Sequence, residues 1–465
     1  MVDRKQEVHE RVASYKNDIV TGIRAIVAIE SSAGEKSADM PFGKGPTQAL
    51  HEALSQGVAL GFETKNLDNF AGYAEIGNGD KIIGMLGHVD TVPLGLGWRH
   101  SPLGGEIEDG FIYGRGACDN KGACIALLYA LKVVKDLGVK LNKRVRAVFG
   151  ANEETGMLCM EHYREKEGDF EYAFAPDGVF PIAFGEKGIY TAFFTGDAST
   201  DNCVKLLDIY AGEAFNVVAD RCDFLVFAGD QENSIKKAFD DYLKKNDLKG
   251  SFEKRAENLL FIIEGVAAHA SRPETGVNAV SRAMAFLGEV ITGSPFIDAY
   301  NECVGLGYYG AGCGVDVSDP YGRLTFNVGM IRMTGNEVKA SMDIRYPVTI
   351  KDFTPHEQAI AQRLGKYGVR VDVSDHMPPL FHDPEKPFVK SLYEVYVDMT
   401  GDTDHPPFVM GGGTYSRKFE QSVTFGYQFP GEDNFIHAPD ERIDIDKLLL
   451  SIEIMTHAIL RLLKL

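Results

Sequence analysis

His88 and Asp90 stand two apart in KIIGMLGHVD, at the end of a short apolar run of strand type, so their side chains share one face. An imidazole with a carboxylate beside it suits a metal ligand and its supporting partner. Alone, the pair reads more readily as a surface His-x-Asp hydrogen bond. Other candidates accumulate along the chain: Asp119 just ahead of a helical pattern, the pair Glu153-Glu154 after the strand-like RVRAVFGAN, and Asp177 at the end of YAFAPDG. His437, in FIHAPDER, arrives from the far end. Carboxylates crowded into one crevice repel and raise each other's pKa values, which is tolerable when divalent cations supply the opposing charge. Two imidazoles and three carboxylates, one of them bridging, suit a pair of zinc ions about 3.5–4 Å apart with positions left for water and substrate. Such a pair activates water and polarises a carbonyl. Glu153, adjacent to the ligand Glu154, is then free to act as general base on the water and later as acid to a leaving amine. Mixed carboxylate and imidazole sites also accept manganese or cobalt.

These residues need a scaffold that brings strand ends together. From residue 8 to residue 28 apolar positions recur at helical spacing, and ACIALLYALKVVKDLG carries the same period with Gly138 as its C-cap. Strands alternating with such helices predict a largely parallel α/β sheet, in which ligands bind beyond the carboxyl ends of the strands. Near GEKGIYTAFFTG the pattern changes to alternating strands with two amphipathic helices, and this continues to about residue 381. The expected organisation is therefore a catalytic α/β domain from residues 1–187 and 382–465, interrupted by an inserted α+β domain over 188–381. Within the insert, FNVVADRCDFLVF and its following helix resemble NEVKASMDIRYPVTI and its following helix, which reads as a duplicated strand–helix unit. In MGGGTYSR, Gly412 and Gly413 could offer backbone N–H groups to a carboxylate at low steric cost, or form an ordinary loop.

Composition narrows the function classes. With 465 residues the chain exceeds the usual limit of one core, so two domains are expected. A net charge of −19 repels phosphate backbones and anionic membranes, which argues against nucleic acid as a partner. The opening MVDRKQEVHERVASYKND lacks the apolar stretch of an export signal, and no later run is long and apolar enough to span a bilayer. Seven cysteines form no CxxC pair, as expected of scattered reduced thiols in the cytoplasm.

GHVDTVP, GRGACDNKG, ANEETG, APDG, HASRPETGVNA and FIHAPDER occur in the order and approximate spacing of the M20 metallopeptidase family, which the chain resembles throughout its length. The length, the DNKG form and the large insert look most like the PepV-type dipeptidases, whose relatives include carnosine-cleaving enzymes. The resemblance implies a di-metal aminopeptidase-like catalytic domain with a mixed, mostly parallel sheet and an inserted lid. It implies His88 and Asp177 on one metal, Glu154 and His437 on the other, and Asp119 bridging them. Asp90 would orient His88, Glu153 would be the base, and the Asp119-Asn120 peptide would be cis. His269 would stabilise the oxyanion, Arg345 would bind the terminal carboxylate of a small peptide, and Asn216 would be a further substrate contact. An enlarged lid with two half-repeats favours a monomer. The expected activity is hydrolysis of dipeptides. A deacylase of N-acyl amino acids on the same scaffold is the nearest rival, and a catalytically silent peptide-binding protein a more distant one.

Overall fold

A computed structural model describes residues 4–465. The chain divides into two compact units, the first running through Gly185 and resuming over His382–Phe408 and Gly413–Leu465. Glu186–Phe381 and the short stretch Val409–Gly412 make up the second, so Gly412 and Gly413 fall in different units.

The first unit is built on a mixed sheet in the order Glu63–Leu67, Ala71–Ile76, Arg144–Gly150, Ile82–His88, Tyr172–Ala175, Ser422–Thr424, Ala183–Glu186. The four strands from Arg144–Gly150 to Ser422–Thr424 are parallel, and the pairings outside them are antiparallel. Ile82–His88 is buried along its whole length, as a central parallel strand covered on both faces must be. Lys121–Asp136 is apolar nearly all round for the same reason. It packs on Ile82–His88 and Arg144–Gly150, and the closing helix Ile445–Leu462 packs on it in turn. The helix Leu158–Glu167 and the 3₁₀ turn Tyr415–Lys418 lie over the opposite face, where a Cβ on Gly150 would collide with Tyr415 and Met160.

One close approach sets the position of the site. A Cβ on Gly87 would stand 2.9 Å from Cys124 Sγ and 3.1 Å from Asn120 Oδ1, so only glycine lets the start of Lys121–Asp136 close against the end of the strand bearing His88. At the N-terminal side, the apolar period over residues 8–28 resolves into two helices, Lys5–Ser14 and Lys16–Val27, rather than one. The break is at Tyr15, whose φ of −94° and ψ of 0° leave the helical region while its hydroxyl bonds to Asp136.

The second unit carries an antiparallel sheet in the order Lys249–Arg255, Asn258–Glu264, Arg221–Phe227, Lys205–Ala211, Ile331–Thr334, Glu337–Tyr346, Gly188–Asp197, Arg370–Met377. The same connection occurs twice. Arg221–Phe227 leads through the helix Glu232–Lys245 to Lys249–Arg255, two places away in the sheet, and Glu337–Tyr346 leads through Thr354–Gly365 to Arg370–Met377, again two places away. Alternate strand residues such as Phe224, Phe261, Ile344 and Met342 join helix residues such as Phe239 and Phe286 in one core. All seven cysteines are free thiols. Among the described residues, no helix is long and apolar enough to cross a membrane.

Candidate metal centre

Three adjacent parallel strands deliver the acids and the first imidazole. His88 ends its strand, Glu153 and Glu154 follow Arg144–Gly150 by three and four residues, and Asp177 follows Tyr172–Ala175 by two. Asp119 sits in the turn before Lys121–Asp136, behind a cis Asp119-Asn120 peptide, and His437 lies in the loop before the closing helix, in the left-handed region at φ +60°. A non-glycine residue there is uncommon and is held by its surroundings.

The side chains converge. His88 Nε2 is 3.0 Å from Asp119 Oδ1 and 3.8 Å from Asp177 Oδ1, while His437 Nε2 is 3.1 Å from Asp119 Oδ2 and 3.3 Å from Glu154 Oε1. One carboxylate thus presents each of its oxygens to a different imidazole. Donor atoms of His88, Asp119 and Glu154, and of His88, Glu153 and Asp177, lie within 4.8 Å of one another, as a metal ion requires. Asn120 donates to Asp177 Oδ1 at 3.0 Å and to the Pro176 carbonyl at 2.9 Å, which fixes that ligand candidate from behind.

Asp90 faces His88 and the Glu153-Glu154 turn together. His88 Nδ1 meets the backbone carbonyl of Asp90 at 2.9 Å, whereas the nearest carboxylate oxygen is 3.6 Å away. The carboxylate also accepts the backbone N–H groups of Glu153 at 2.9 Å and Glu154 at 3.1 Å. The motif therefore orients the ring through its main chain and the Glu153-Glu154 turn through its side chain. Asp90→Asn keeps one acceptor but sets an amide N–H against a backbone N–H. It should lower stability by about 1–3 kcal/mol, measured by denaturant unfolding of the metal-free protein.

Electrostatics separate the acids. Burial pushes the Glu153 carboxyl well above the usual carboxylate range; His88 opposes the rise, and Asp177, Glu154 and Asp90 add to it. Burial acts the same way on Asp119, yet hydrogen bonds from His437 and His88 override it and hold that carboxyl far below the ordinary value. Burial disfavours charge on His437, but hydrogen bonds to Asp119 and Glu154 raise it from 6.5 to about 11. His88 is likewise raised against its burial, chiefly by the charge of Asp177 and the bond to Asp119. The acids thus draw positive charge toward both imidazoles.

The second unit carries Asn216, His269, Arg345 and Gly412. Asn216 and His269 lie on neighbouring strands of chain, joined by Ala270 N–H to the Asn216 carbonyl at 2.8 Å and Val218 N–H to the Ala268 carbonyl at 2.8 Å. His269 Nδ1 is 2.7 Å from Ser271 Oγ. Arg345 is nearly buried, with Nε and Nη2 on the two oxygens of Asp343 at 2.6 and 2.7 Å and Nη1 on the Gly411 carbonyl at 3.2 Å. Of five N–H donors, two remain for an anion. Gly411, rather than Gly412 or Gly413, is the residue bonded to this guanidinium. Asp343 lies two residues from Arg345 on one strand, so the shared face was a readable signal.

Residues 84–461 match the model of Peptidase family M20/M25/M40. "Putative dipeptidase YtjP" of Bacillus subtilis is 36% identical over 464 residues, covering 97% of this chain and 98% of its own. "Putative dipeptidase SH1171" of Staphylococcus haemolyticus is 31% identical over 461 residues, with the same coverage. Among solved structures, human carnosine dipeptidase 1 aligns with a TM-score of 0.62 at 15% identity, over 100% of this chain and 99% of that one. Dug1p of Saccharomyces cerevisiae aligns with a TM-score of 0.61 at 13% identity, over the full length of both. At these identities the two structures speak for the fold, while the family match spans most of the sequence. The chain belongs to Peptidase family M20/M25/M40.

Proposed function

We propose that this chain is a cytoplasmic dipeptidase working with two divalent metal ions, zinc in the first instance. The observation that carries the reading is the Asp119 carboxylate, one oxygen toward His88 and the other toward His437. The donor set fits such ions. Two ligands of a tetrahedral zinc, each about 2.1 Å from the metal, are roughly 3.4 Å apart, and the donor separations of 3.0–3.8 Å straddle that value. Glu154 Oε1 is buried and faces His437 Nε2 at 3.3 Å, so a cation between them would replace the shared proton. His88 and Asp177 would hold one ion, Glu154 and His437 the other, with Asp119 between them. Bound there, the ions would polarise the substrate carbonyl and acidify water.

The chain's own groups do the rest. Glu153, with its raised affinity for a proton, accepts one from the attacking water and returns it to the leaving amine. His269 is assigned to the oxyanion, Asn216 to a supporting contact, and Arg345, oriented by Asp343, to the free carboxylate of a dipeptide. Gly412 and Gly413 are assigned to backbone contacts with that carboxylate. The doubled connection in the second unit supports a monomer, and light scattering at working concentration should give the mass of one chain.

The deciding experiment is a chromatographic panel of dipeptides, β-alanyl ones included, against N-acyl amino acids. Faster cleavage of dipeptides is expected, and preference for the acylated compounds would favour a deacylase. Proton counting adds an independent check. The cluster raises the proton affinity of His88, His437 and Glu153, so uptake of the ions should release protons, seen as acidification of weakly buffered metal-free protein. The raised pKa of His437 stabilises the metal-free fold below pH 6.5, and that contribution fades as pH rises through about 11.

A further inference from the structure

Glu441 lies four residues beyond His437, and its side chain is wholly buried. Its Oε1 accepts three backbone N–H groups of one turn, from Gly116 at 3.0 Å, Cys118 at 3.0 Å and Asp119 at 2.9 Å. Its Oε2 takes the Arg115 guanidinium at 2.6 Å, and Arg115, itself 2% exposed, reaches the Leu94 carbonyl at 3.3 Å with its other terminal nitrogen. From another element, the Tyr427 hydroxyl donates to the Cys118 carbonyl at 2.6 Å. The strand Arg442–Asp444 and the helix Ile445–Leu462, capped by Asp444, follow at once and anchor the segment.

Three N–H groups on one oxygen need the electron density of an ionised carboxylate, and that charge, taken out of water, needs a partner such as Arg115. Glu441 and Asp119 are 322 positions apart in sequence. One carboxylate therefore ties the turn that carries Asp119 to the loop that carries His437, the two residues whose side chains meet at 3.1 Å.

We propose that Glu441 is a positioning residue that holds Asp119 and His437 at the spacing at which both reach one ion, and so sets the affinity of the centre for metal. The proposal rests on the two-metal reading of the site. Removal of a group that orients a ligand typically weakens metal binding by about 10–100-fold. In Glu441→Gln the amide oxygen can still face the backbone donors, but its NH₂ then opposes Arg115.

The test is zinc titration of the chelator-stripped, full-length protein against a chromophoric competitor, with circular dichroism and thermal unfolding alongside. Glu441→Gln should keep its secondary structure and bind zinc at least tenfold more weakly than wild type. Arg146→Met is the comparison, since Arg146 is buried and bonded to Glu75, to Tyr163 at 2.9 Å and to Glu167 at 2.8 Å, none of them a ligand candidate. It should lose thermal stability and keep zinc affinity. Where Glu441→Gln does not fold, Tyr427→Phe loosens the same peptide segment and should weaken zinc in the same direction. Wild-type affinity in whichever variant folds, or an equal loss in Arg146→Met, overturns the proposal. Wild-type protein that takes up no zinc would instead sink the two-metal reading on which it stands.

Discussion

Glu153→Ala should abolish measurable dipeptide turnover while the protein still takes up two metal ions. Loss of a positioned base costs about 10²–10⁴ in rate. Burial, reinforced by three neighbouring acids, drives this carboxyl toward holding a proton. Its backbone N–H is held by Asp90 whatever the side chain, so the turn that also presents Glu154 persists in the variant. Metal content by elemental analysis should match wild type while kcat collapses. If purified, metal-loaded Glu153→Ala protein still hydrolyses dipeptides, the base lies elsewhere. If it loses its metal, Glu153 is a ligand, an assignment its proximity to His88 and Asp177 would accommodate.

Asp119→Ala should have the opposite signature, with metal lost first and activity as a consequence. A four-ligand zinc site binds with roughly 10–16 kcal/mol, so each ligand carries about 3 kcal/mol, and Asp119 serves both ions. Each should bind about a hundredfold more weakly. Removal of the carboxylate also withdraws a hydrogen bond that raises the pKa of His437 and another that raises that of His88, so fewer protons should be released when metal is added. Calorimetric titration of the variant in two buffers of different ionisation enthalpy checks both effects. Wild-type affinity would remove Asp119 from the ligand set.

How much of this was legible in sequence depended on whether a partner was local. Acids that directly follow apolar strand segments, Glu153, Glu154 and Asp177, announce themselves because a parallel sheet collects such strand ends on one edge. The parallel centre was legible for the same reason, and the antiparallel strands beyond it were expected only through the family resemblance, since pairing direction follows from connections rather than from hydrophobic pattern. The spacing of His88 and Asp90 brings their side chains to 3.6 Å, while the carboxylate also takes donors 63 and 64 residues away that the spacing could not show. Glu441 stands in the same motif as His437, but its purpose appears only when the chain closes over 322 residues onto Gly116–Asp119. The break at Tyr15 was hidden because both short helices keep one apolar period through it.

Metal and catalysis are joined most directly by titrating chelator-stripped protein with zinc while following dipeptide hydrolysis at each addition. The account predicts negligible hydrolysis without zinc and a plateau at two equivalents per chain. Full hydrolysis by the stripped protein, or a plateau at one equivalent, would contradict a centre in which Asp119 is shared between two ions.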